Sequence, residues 1–403
     1  MSGHSRTRSV ESLMADAREL VKEIGREQNV TSWHQKVQDL VARANEDPIS
    51  IYRDFKWYPK SVVWELTLAC NMRCEHCGSR AGKARDDELS LDEMYRVCDE
   101  LGELGCEQVT LLGGEPLIHK NWKKVAERIR QNGYQANVIT NGWTLDRPAL
   151  LDDIKEVGFN IVAISVDGYA ESHDRLRNKQ GSFDRILGAI DMLRERDVPV
   201  AISTVITNDS LAEMDKLHKI FIDKGVSVWQ LQIGSPIGRM ERDNPVLIQP
   251  ERLKEVYDFA IKCAENNGGI LLDLADNVGY FGSCASKNLG RNRERGQIWK
   301  GCWAGILTLG IDSNGDVKGC QSHPSIPRFI QGNVRERSLI EIWNDPDLFP
   351  ETRRFQRKML SGYCAECTYG MLCKAGCTSQ AFGFTGTVGD NPMCLHRVEQ
   401  DKR

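Results

Sequence analysis

Short apolar segments alternate with amphipathic segments along the chain from about residue 61 onward. The apolar segments lack a two-residue alternation of polar and apolar positions, which is typical of parallel strands covered on both faces. They predict strands at 62–69, 108–112, 135–140, 161–166, 199–205 and 227–233. Apolar residues at helical spacing predict helices near 90–104, 120–131, 148–157, 184–196, 209–223 and 250–267. Ser90 and Glu93 form a capping-box pattern at the start of the first of these helices.

The alternation of strands and helices determines the expected fold class. Six strand–helix units in sequence predict a parallel sheet with right-handed crossovers. Because a complete barrel of this kind needs eight units, six units leave the barrel open on one side. We therefore predict an α/β fold in which residues 61–275 form a partial (β/α)6 barrel.

Two helices are predicted ahead of the barrel, in an N-terminal helical extension that we assign to residues 1–60. Apolar residues recur at helical spacing from Val10 to Ile24. A second helix is predicted from Ser32, which forms a capping-box pattern with Gln35. We expect these helices to pack on the main domain, although an apolar helical face also suits a substrate or a partner.

The composition changes after about residue 275, where glycine and cysteine become frequent and helical periodicity fades. Two apolar segments, 306–312 and 316–320, flank Asn314-Gly315, which predicts a β-hairpin with a two-residue turn. We assign residues 276–403 to a cysteine-rich C-terminal domain.

Composition narrows the range of partners. The chain has 403 residues, of which 40% are hydrophobic and 27% are charged, and its formal net charge is -4. A slightly negative net charge does not favour nucleic acid or an anionic membrane as a partner. No segment approaches the ~20 apolar residues that span a bilayer, and the N-terminus lacks the apolar region of a secretory signal. We therefore expect a cytoplasmic protein whose 14 cysteines are metal ligands rather than disulfide partners.

The candidate chemistry lies at the ends of the first two predicted strands. Cys70, Cys74 and Cys77 stand at C-x3-C-x2-C spacing directly after the strand at 62–69. A structural zinc site or a fully ligated 4Fe–4S cluster takes four ligands, so three cysteines leave one iron of a cluster open. The alternative is three buried cysteines on a turn, but such cysteines have no reason to repeat at ligand spacing. The segment Gly113-Gly-Glu-Pro116 follows the next strand.

Together the two segments resemble the cluster-binding and SAM-binding motifs of the radical S-adenosylmethionine (SAM) enzymes. The resemblance implies a 4Fe–4S cluster on the three cysteines, with SAM bound at the open iron beside the glycines and with His76 packed against the adenine. It also implies the open barrel. The cofactor-binding residues that it implies are Gly113, Gly114, Glu115, Asn141, Ser165, Arg177 and Thr204. For Asn141, and for the turn at Asp167-Gly168, ordinary turn chemistry is the alternative.

A second set of cysteines lies in the C-terminal domain, at a spacing that resembles the SPASM extension of radical SAM enzymes. Its seven members are Cys302, Cys320, Cys364, Cys367, Cys373, Cys377 and Cys394. The resemblance implies two auxiliary 4Fe–4S clusters, and Cys284 is the candidate for the eighth ligand. By the interleaved pattern of the family, the first auxiliary cluster takes Cys284, Cys302, Cys320 and Cys377. The second takes Cys364, Cys367, Cys373 and Cys394.

Zinc is the rival interpretation of the C-terminal cysteines, because zinc ribbons also combine a C-x2-C pair with distant cysteines. The protein would then be a zinc- or cluster-binding scaffold instead of an enzyme. Colour discriminates between the two, since iron–sulfur protein purified without air is brown and zinc protein is colourless. The independent radical SAM motifs favour iron–sulfur clusters.

The resemblance implies an enzyme that cleaves SAM to a 5′-deoxyadenosyl radical and abstracts a hydrogen atom from its substrate. It implies SAM and three 4Fe–4S clusters as cofactors, and an external electron donor such as flavodoxin or ferredoxin. The SPASM extension favours a ribosomally synthesised peptide as the substrate, modified by an oxidative crosslink or a similar step. The alternative is a small molecule, such as a haem-like, sugar or cofactor precursor.

Candidates for the catalytic acid or base lie between the barrel and the C-terminal domain, where a substrate would bind. They are Asp273, Asp276 and Tyr280, for which ordinary surface or linker polarity is the alternative.

Many peptide-modifying relatives carry a winged-helix module that binds the leader peptide, and residues 1–60 show no strand pattern for one. Leader recognition would then need another surface or a separate protein.

Overall fold

The computed structural model of the chain describes residues 28–52, 56–266, 268–275, 278, 280–283 and 298–401. The strands within these residues are β1 (Ser61–Glu65), β2 (Gln108–Leu112), β3 (Gln135–Thr140), β4 (Ile161–Ser165), β5 (Val200–Ile206), β6 (Val228–Ile233), β7 (Leu271–Leu274), β8 (Thr308–Ile311), β9 (Asp316–Lys318) and β10 (Ile330–Asn333). They form one sheet in the order β10–β9–β8–β1–β2–β3–β4–β5–β6–β7.

Helices alternate with the strands from β1 to β7, which all pair in parallel. The helices in the first part of the described chain are α1 (Gln28–Glu46), α2 (Leu91–Glu103), α3 (Trp122–Gln131), α4 (Pro148–Val157), α5 (Ala170–Arg177), α6 (Ser182–Arg194), α7 (Asn208–Asp223) and α8 (Leu253–Glu265). The predicted open α/β barrel is therefore confirmed. The predicted strands at 108–112 and 135–140 match β2 and β3 residue for residue.

The barrel contains two elements that the hydrophobic pattern does not predict. β7 pairs in parallel with β6, so the barrel has a seventh strand beyond the six predicted units. β7 is only four residues long and lies where the composition begins to change. α5 buries Ser172, His173 and Asp174 together with Leu176. Because most of these residues are polar, α5 has no apolar stripe from which a helix could be predicted.

The sheet continues from the barrel into the cysteine-rich segment. β8 pairs in parallel with β1, where Ser61 lies opposite Thr308. β8 and β9 form the predicted antiparallel hairpin, but Ile311 lies opposite Val317, so the loop is longer than the predicted two-residue turn. Gly315 in this loop has a φ of 92°, a left-handed conformation that glycine adopts readily. The cysteine-rich segment is thus built onto the strand that leads into Cys70.

A buried ion pair anchors this hairpin. Lys318 Nζ lies 2.8 Å from Asp312 Oδ1, and neither side chain is more than 2% exposed. Lys318 Nζ also donates to the His323 carbonyl at 3.0 Å. On the barrel side, Ser313 Oγ donates to Glu65 Oε1 at 2.9 Å. Polar contacts therefore join β1 to the hairpin inside the protein.

The apolar face of α1 packs on the cysteine-rich segment. Val37 and Ala44 of α1 are buried in one cluster with Met371 and Leu372. The expectation that the extension packs on the main domain is therefore wrong for α1, because an apolar stripe indicates a buried face but not the surface that covers it. The first predicted helix, from Val10 to Ile24, lies outside the described residues.

The remainder of the cysteine-rich segment consists of short helices and turns. The helices are α9 (Leu339–Asn344), α10 (Pro350–Arg353), α11 (Gly362–Glu366), α12 (Gly370–Cys373), α13 (Thr378–Thr385) and α14 (Leu395–Asp401). In the described part of the chain, no helix has the length and apolar composition needed to cross a membrane.

Replacing Lys318 by Met tests the buried ion pair. The variant leaves the buried Asp312 carboxylate with only the more distant Arg85, whose Nη2 lies 4.0 Å from Asp312 Oδ2. Removing one partner of a buried pair costs about 3–5 kcal/mol. We expect the urea midpoint of unfolding, followed by circular dichroism, to fall accordingly. The control is Lys254→Met, because Lys254 pairs with Asp258 on the surface, where such pairs contribute about 0–1 kcal/mol. Equal midpoints for Lys318→Met and the wild type would contradict the assigned role.

Candidate functional site

The three-cysteine loop begins just beyond β1, at the carboxyl edge of the sheet. Backbone hydrogen bonds close its base: the Cys70 N–H donates to the Gly82 carbonyl at 3.1 Å, and the Gly82 N–H donates to the Leu68 carbonyl at 2.9 Å. Cys74 is buried, while Cys70 and Cys77 are partly exposed. Cys74 and Cys77 both act electrostatically on Cys70. The loop thus gathers the three predicted ligands at one end of the barrel.

The thiols of this loop are suited to a bound metal cluster. Burial raises the pKa of Cys70 to about 11 and also raises the pKa of Cys74. A thiol with such a pKa is protonated at neutral pH, whereas metals bind the thiolate. Iron bound at the site would stabilise the thiolates against this effect of burial, and three cysteines gathered on one loop are the donor set of an iron–sulfur cluster.

The Gly113-Gly114 segment lies directly against the base of the cysteine loop. The Gly114 N–H donates to the Thr67 carbonyl at 2.8 Å, and the Glu115 N–H donates to the Ala69 carbonyl at 2.8 Å. A Cβ atom on Gly113 would lie 2.3 Å from the Thr67 oxygen, and one on Gly114 would lie 2.1 Å from the Ala69 oxygen. Only glycine permits this approach, which fixes the end of β2 against the strand that enters the cysteine loop.

The Glu115 side chain is fully buried and organises the end of β3. Its carboxylate accepts hydrogen bonds from Thr140 Oγ1 at 2.8 Å, the Asn141 N–H at 2.8 Å and the Leu117 N–H at 3.2 Å. Burial raises its pKa to about 7, against the opposing effect of these hydrogen bonds. Because a carboxylate has about four acceptor positions, most of them are used within the protein. The implied contact of Glu115 with SAM stays a prediction.

Asn141 connects β3 to the cysteine loop. Its Nδ2 donates to Asn71 Oδ1 at 2.7 Å and lies 3.8 Å from Cys70 Sγ. The Asn141 side chain therefore makes contacts outside its own turn, which the alternative interpretation, ordinary turn chemistry, does not require. It stands beside the first cysteine, where the resemblance expects a cofactor-binding residue.

Asp167 forms an ion-pair network that the sequence does not reveal. Its Oδ2 lies 2.5 Å from Arg177 Nη2 and 3.2 Å from His76 Nε2. Burial opposes ionisation of Asp167, but Arg177 and His76 hold its pKa well below the usual range. Arg177 Nη1 also contacts Cys74 Sγ at 3.9 Å. His76 and Arg177 thus bind the end of β4 to the cysteine loop, whereas the resemblance implied adenine and SAM as their partners.

Thr204 does not face the same side of the sheet as Ser165. Its hydroxyl donates to the Val166 carbonyl at 2.6 Å and accepts from Trp229 Nε1 at 2.8 Å, in the fully buried layer under the helices. Because side chains alternate along a strand, Ser203 faces the opposite side, and Ser203 is paired with Ser165. The Thr204 hydroxyl is thus already hydrogen-bonded within the protein, and its role as a cofactor contact stays a prediction.

The loop after β6 closes over the cysteine loop. The Arg239 N–H donates to the Cys77 carbonyl at 3.1 Å, and Arg239 Nη1 donates to the Cys74 carbonyl at 3.1 Å. Gly238 has a φ of 72°, and a Cβ atom there would lie 2.2 Å from the Cys77 oxygen. The sequence predicts neither contact, because a hydrogen bond to a backbone carbonyl does not depend on residue spacing.

Four C-terminal cysteines surround a single cavity. Cys364, Cys367, Cys373 and Cys394 line it together with aromatic residues. Phe281 and Tyr369 stack in its wall with ring centroids 4.5 Å apart. These four are the ligands that the interleaved pattern assigns to the second auxiliary cluster, and an apolar cavity with four thiols fits such a cluster.

The other auxiliary cysteines lie on segments that touch one another. The Gly305 N–H, three residues after Cys302, donates to the carbonyl of Gly319, which precedes Cys320, at 3.2 Å. Ser379 Oγ, two residues after Cys377, donates to the Ser322 carbonyl at 2.5 Å. Cys284 lies outside the described residues, so the fourth ligand of the first auxiliary cluster stays a prediction.

No three histidine, cysteine or carboxylate side chains within the described ranges are close enough to share one metal ion. In a 4Fe–4S cluster each cysteine binds a different iron, so the sulfur atoms of its ligands stand farther apart than those around a single ion.

The structure separates the two catalytic candidates that it describes. Asp273 lies on β7 in the barrel sheet, where its Oδ2 accepts from Gln230 Nε2 at 2.8 Å. Tyr280 lines the cavity of the second auxiliary cysteines, and its hydroxyl accepts from the Cys377 N–H at 2.7 Å. Tyr280 therefore lies beside the cysteines predicted to bind the auxiliary clusters, whereas Asp273 lies in the barrel, and both stay catalytic candidates. Asp276 lies outside the described residues.

The contact between Gly114 and the cysteine loop can be tested with a Gly114→Ala variant. The added methyl group collides with the Ala69 carbonyl, so we expect the loop to lose its cluster. Iron per chain after anaerobic reconstitution should fall by about four. Gly78→Ala, in the three-cysteine loop itself, is the control, because no atom lies within 4 Å of its added Cβ. Full iron content in Gly114→Ala would contradict the interpretation.

Comparisons with known proteins agree with this geometry. The model of the radical SAM superfamily matches residues 64–220, which contain the three-cysteine loop and the glycine segment. The model of the SPASM iron–sulfur cluster-binding domain matches residues 302–368. The cysteines from Cys373 to Cys394 follow directly after that match.

Relatives match most of the chain. It is 29% identical over 352 residues to the AdoMet-dependent heme synthase of Methanosarcina barkeri (strain Fusaro / DSM 804), a match that covers 84% of this chain and 97% of that protein. It is 28% identical over 345 residues to the mycofactocin maturase MftC of Mycolicibacterium smegmatis, covering 84% of this chain and 83% of that protein. The Streptococcus suis SuiB structure bound to precursor peptide SuiA has the same fold, with a TM-score of 0.66 at 17% identity, covering 90% of this chain and 80% of that one. The chain therefore belongs to the radical SAM superfamily and is a radical SAM enzyme with a C-terminal SPASM domain.

Proposed function

We propose that this enzyme binds a 4Fe–4S cluster on Cys70, Cys74 and Cys77, with SAM at the open iron, and removes a hydrogen atom from a ribosomally synthesised peptide. The observation that carries the proposal is the contact of the Gly113-Gly114 segment with the base of the three-cysteine loop. When bound, the cluster and SAM together supply a 5′-deoxyadenosyl radical, which is the chemistry of the family.

The residues of the chain position these groups. The three cysteines supply thiolates, and the Arg177 guanidinium beside Cys74 stabilises their negative charge. Asp167 holds Arg177 in place through a buried ion pair. Arg239 and the glycine segment hold the three-cysteine loop from two sides. The loop therefore has its binding geometry before SAM binds.

We assign two further 4Fe–4S clusters to the C-terminal cysteines. The cavity lined by Cys364, Cys367, Cys373 and Cys394 supports the second auxiliary cluster. The contacts between the segments that carry Cys302, Cys320 and Cys377 support the first. Clusters held there would serve to accept the electron left on the oxidised substrate, or one of them would bind the substrate directly. An external donor such as flavodoxin or ferredoxin supplies the electron for SAM cleavage, in the cytoplasm.

A row of polar side chains inside the barrel supports a peptide as the substrate. Strand pairing places Ser165 beside Ser203, Ser203 beside Gln230, and Gln230 beside Asp273. The four residues span about 14 Å at the usual spacing between strands. Such a row offers several hydrogen-bond donors and acceptors to a chain of amide groups, and the barrel is open on one side to admit it. The similarity to a mycofactocin maturase points in the same direction.

A haem-like small molecule is the second candidate. The match to an AdoMet-dependent heme synthase covers 97% of that protein, so the two chains share nearly their whole architecture. A tetrapyrrole carries carboxylate groups, which would accept hydrogen bonds from the same polar row.

Iron content and SAM cleavage test the cluster assignment. Three clusters give about twelve irons per chain after anaerobic reconstitution. Replacing Cys70, Cys74 and Cys77 by Ala should abolish 5′-deoxyadenosine and retain about eight irons, because the remaining ligands lie in the SPASM domain. Reductive cleavage by the triple variant would show that the loop is misassigned, and about four irons in the wild type would rule out the auxiliary clusters.

The substrate is tested by incubating the reduced enzyme and SAM with peptides encoded beside its gene. We expect a peptide to lose two hydrogen atoms while 5′-deoxyadenosine accumulates, both followed by mass spectrometry. The triple cysteine variant is the control, since it should leave the peptide unchanged. Unchanged mass for every such peptide, together with turnover of an iron porphyrin precursor, would overturn the peptide proposal in favour of the small molecule.

A further inference from the structure

Lys374 is a buried lysine of the SPASM domain that directly follows Cys373. It is only 3% exposed, and its Nζ donates to the Tyr52 hydroxyl at 3.0 Å and to the Lys300 carbonyl at 3.1 Å. Lys300 stands two residues before Cys302. Within the described residues, no carboxylate forms an ion pair with Lys374.

The backbone at Lys374 adopts an uncommon conformation that directs the side chain inward. Lys374, Ala375 and Gly376 have φ values of 54°, 58° and 74°, a left-handed region that residues with side chains rarely adopt. Tyr280 holds the end of this turn, because its hydroxyl accepts from the Cys377 N–H at 2.7 Å. Such strain persists only where surrounding contacts enforce it, and it is concentrated at functional sites.

A buried ammonium group without a carboxylate partner is costly. The assigned auxiliary clusters would supply the missing negative charge, since a 4Fe–4S core with four thiolates is anionic. Cys373 belongs to the second cluster and Cys302 to the first, so Lys374 stands beside ligands of both. Net charge and hydrogen bonding around a cluster set its reduction potential.

We propose that Lys374 is the shared buried counter-cation of the two auxiliary clusters and that Tyr52 of the N-terminal extension holds it there. The proposal rests on the proposed function, because it needs both auxiliary clusters. Lys374 is a positioning residue: it stabilises the reduced clusters and raises their reduction potentials.

Tyr52 gives the N-terminal extension a part in this site. Its hydroxyl accepts from Lys374 Nζ and donates to the Lys300 carbonyl. Its ring lies 4.3 Å from Lys374 Nζ and packs edge-on against Trp303. Burial raises the pKa of Tyr52 well above its usual value, so the hydroxyl stays neutral and donates. The segment after α1 thereby contacts Lys374 directly.

Redox titration of the reconstituted full-length protein, followed by electron paramagnetic resonance, tests the proposal. In Lys374→Met we expect the midpoint of at least one auxiliary cluster to fall while that of the SAM cluster is unchanged. Lys374→Arg, which keeps the charge, should restore the wild-type midpoint. Tyr52→Phe removes the hydroxyl acceptor and should cause a smaller fall. Lys358→Met, at an exposed position of the same domain, should change no midpoint.

Unchanged auxiliary midpoints in a fully loaded Lys374→Met protein would overturn the proposal. If Lys374→Met does not retain its clusters, Tyr52→Phe decides, and unchanged midpoints in that variant would overturn it equally. A wild-type protein with about four irons per chain and no auxiliary signal would instead refute the proposed function. The two failures are therefore distinguishable in the same experiment.

Discussion

The contact between two stretches of backbone is the constraint on which the candidate active site depends. Gly113 and Gly114 lie so close to Thr67 and Ala69 that neither position has room for a Cβ atom. One stretch ends β2, and the other leads from β1 into Cys70. Their contact therefore fixes the segment expected to bind SAM relative to the cysteines expected to hold the cluster. Hydrogen bonds from Arg239 complete the enclosure from the β6 side.

The same sheet extends from the barrel into the cysteine-rich segment. Because β8 pairs with β1, the cysteine-rich segment is attached to the same strand that supports the three-cysteine loop. The N-terminal extension in turn packs on the cysteine-rich segment and contributes Tyr52 to the surroundings of Lys374. The N-terminal extension and the C-terminal segment thus meet at the proposed auxiliary site, while the proposed SAM site lies at the carboxyl ends of the barrel strands.

Hydrophobic periodicity and cysteine spacing predict much of this structure, because each reports a local property. Strands covered on both faces appear as short apolar segments, which is why β2 and β3 match their predicted bounds. The C-x3-C-x2-C spacing directly after an apolar segment predicts a metal-binding loop at the end of a strand. Which residues contact one another across the fold is not a local property, and these signals do not predict it. Neither the ion pair of Asp167 with Arg177 nor the surface that covers α1 leaves a periodic signal.

The central claim is that the three-cysteine loop holds a cluster whose open iron binds SAM. Electron–nuclear double resonance on the reduced protein tests it most directly, with SAM labelled by ¹⁵N at its amino group. A nitrogen bound to iron couples to the unpaired electron of the cluster. The account predicts this coupling in the wild type and its absence in the variant that lacks Cys70, Cys74 and Cys77. A reduced wild-type protein that retains its clusters and shows no coupling to labelled SAM would contradict the account.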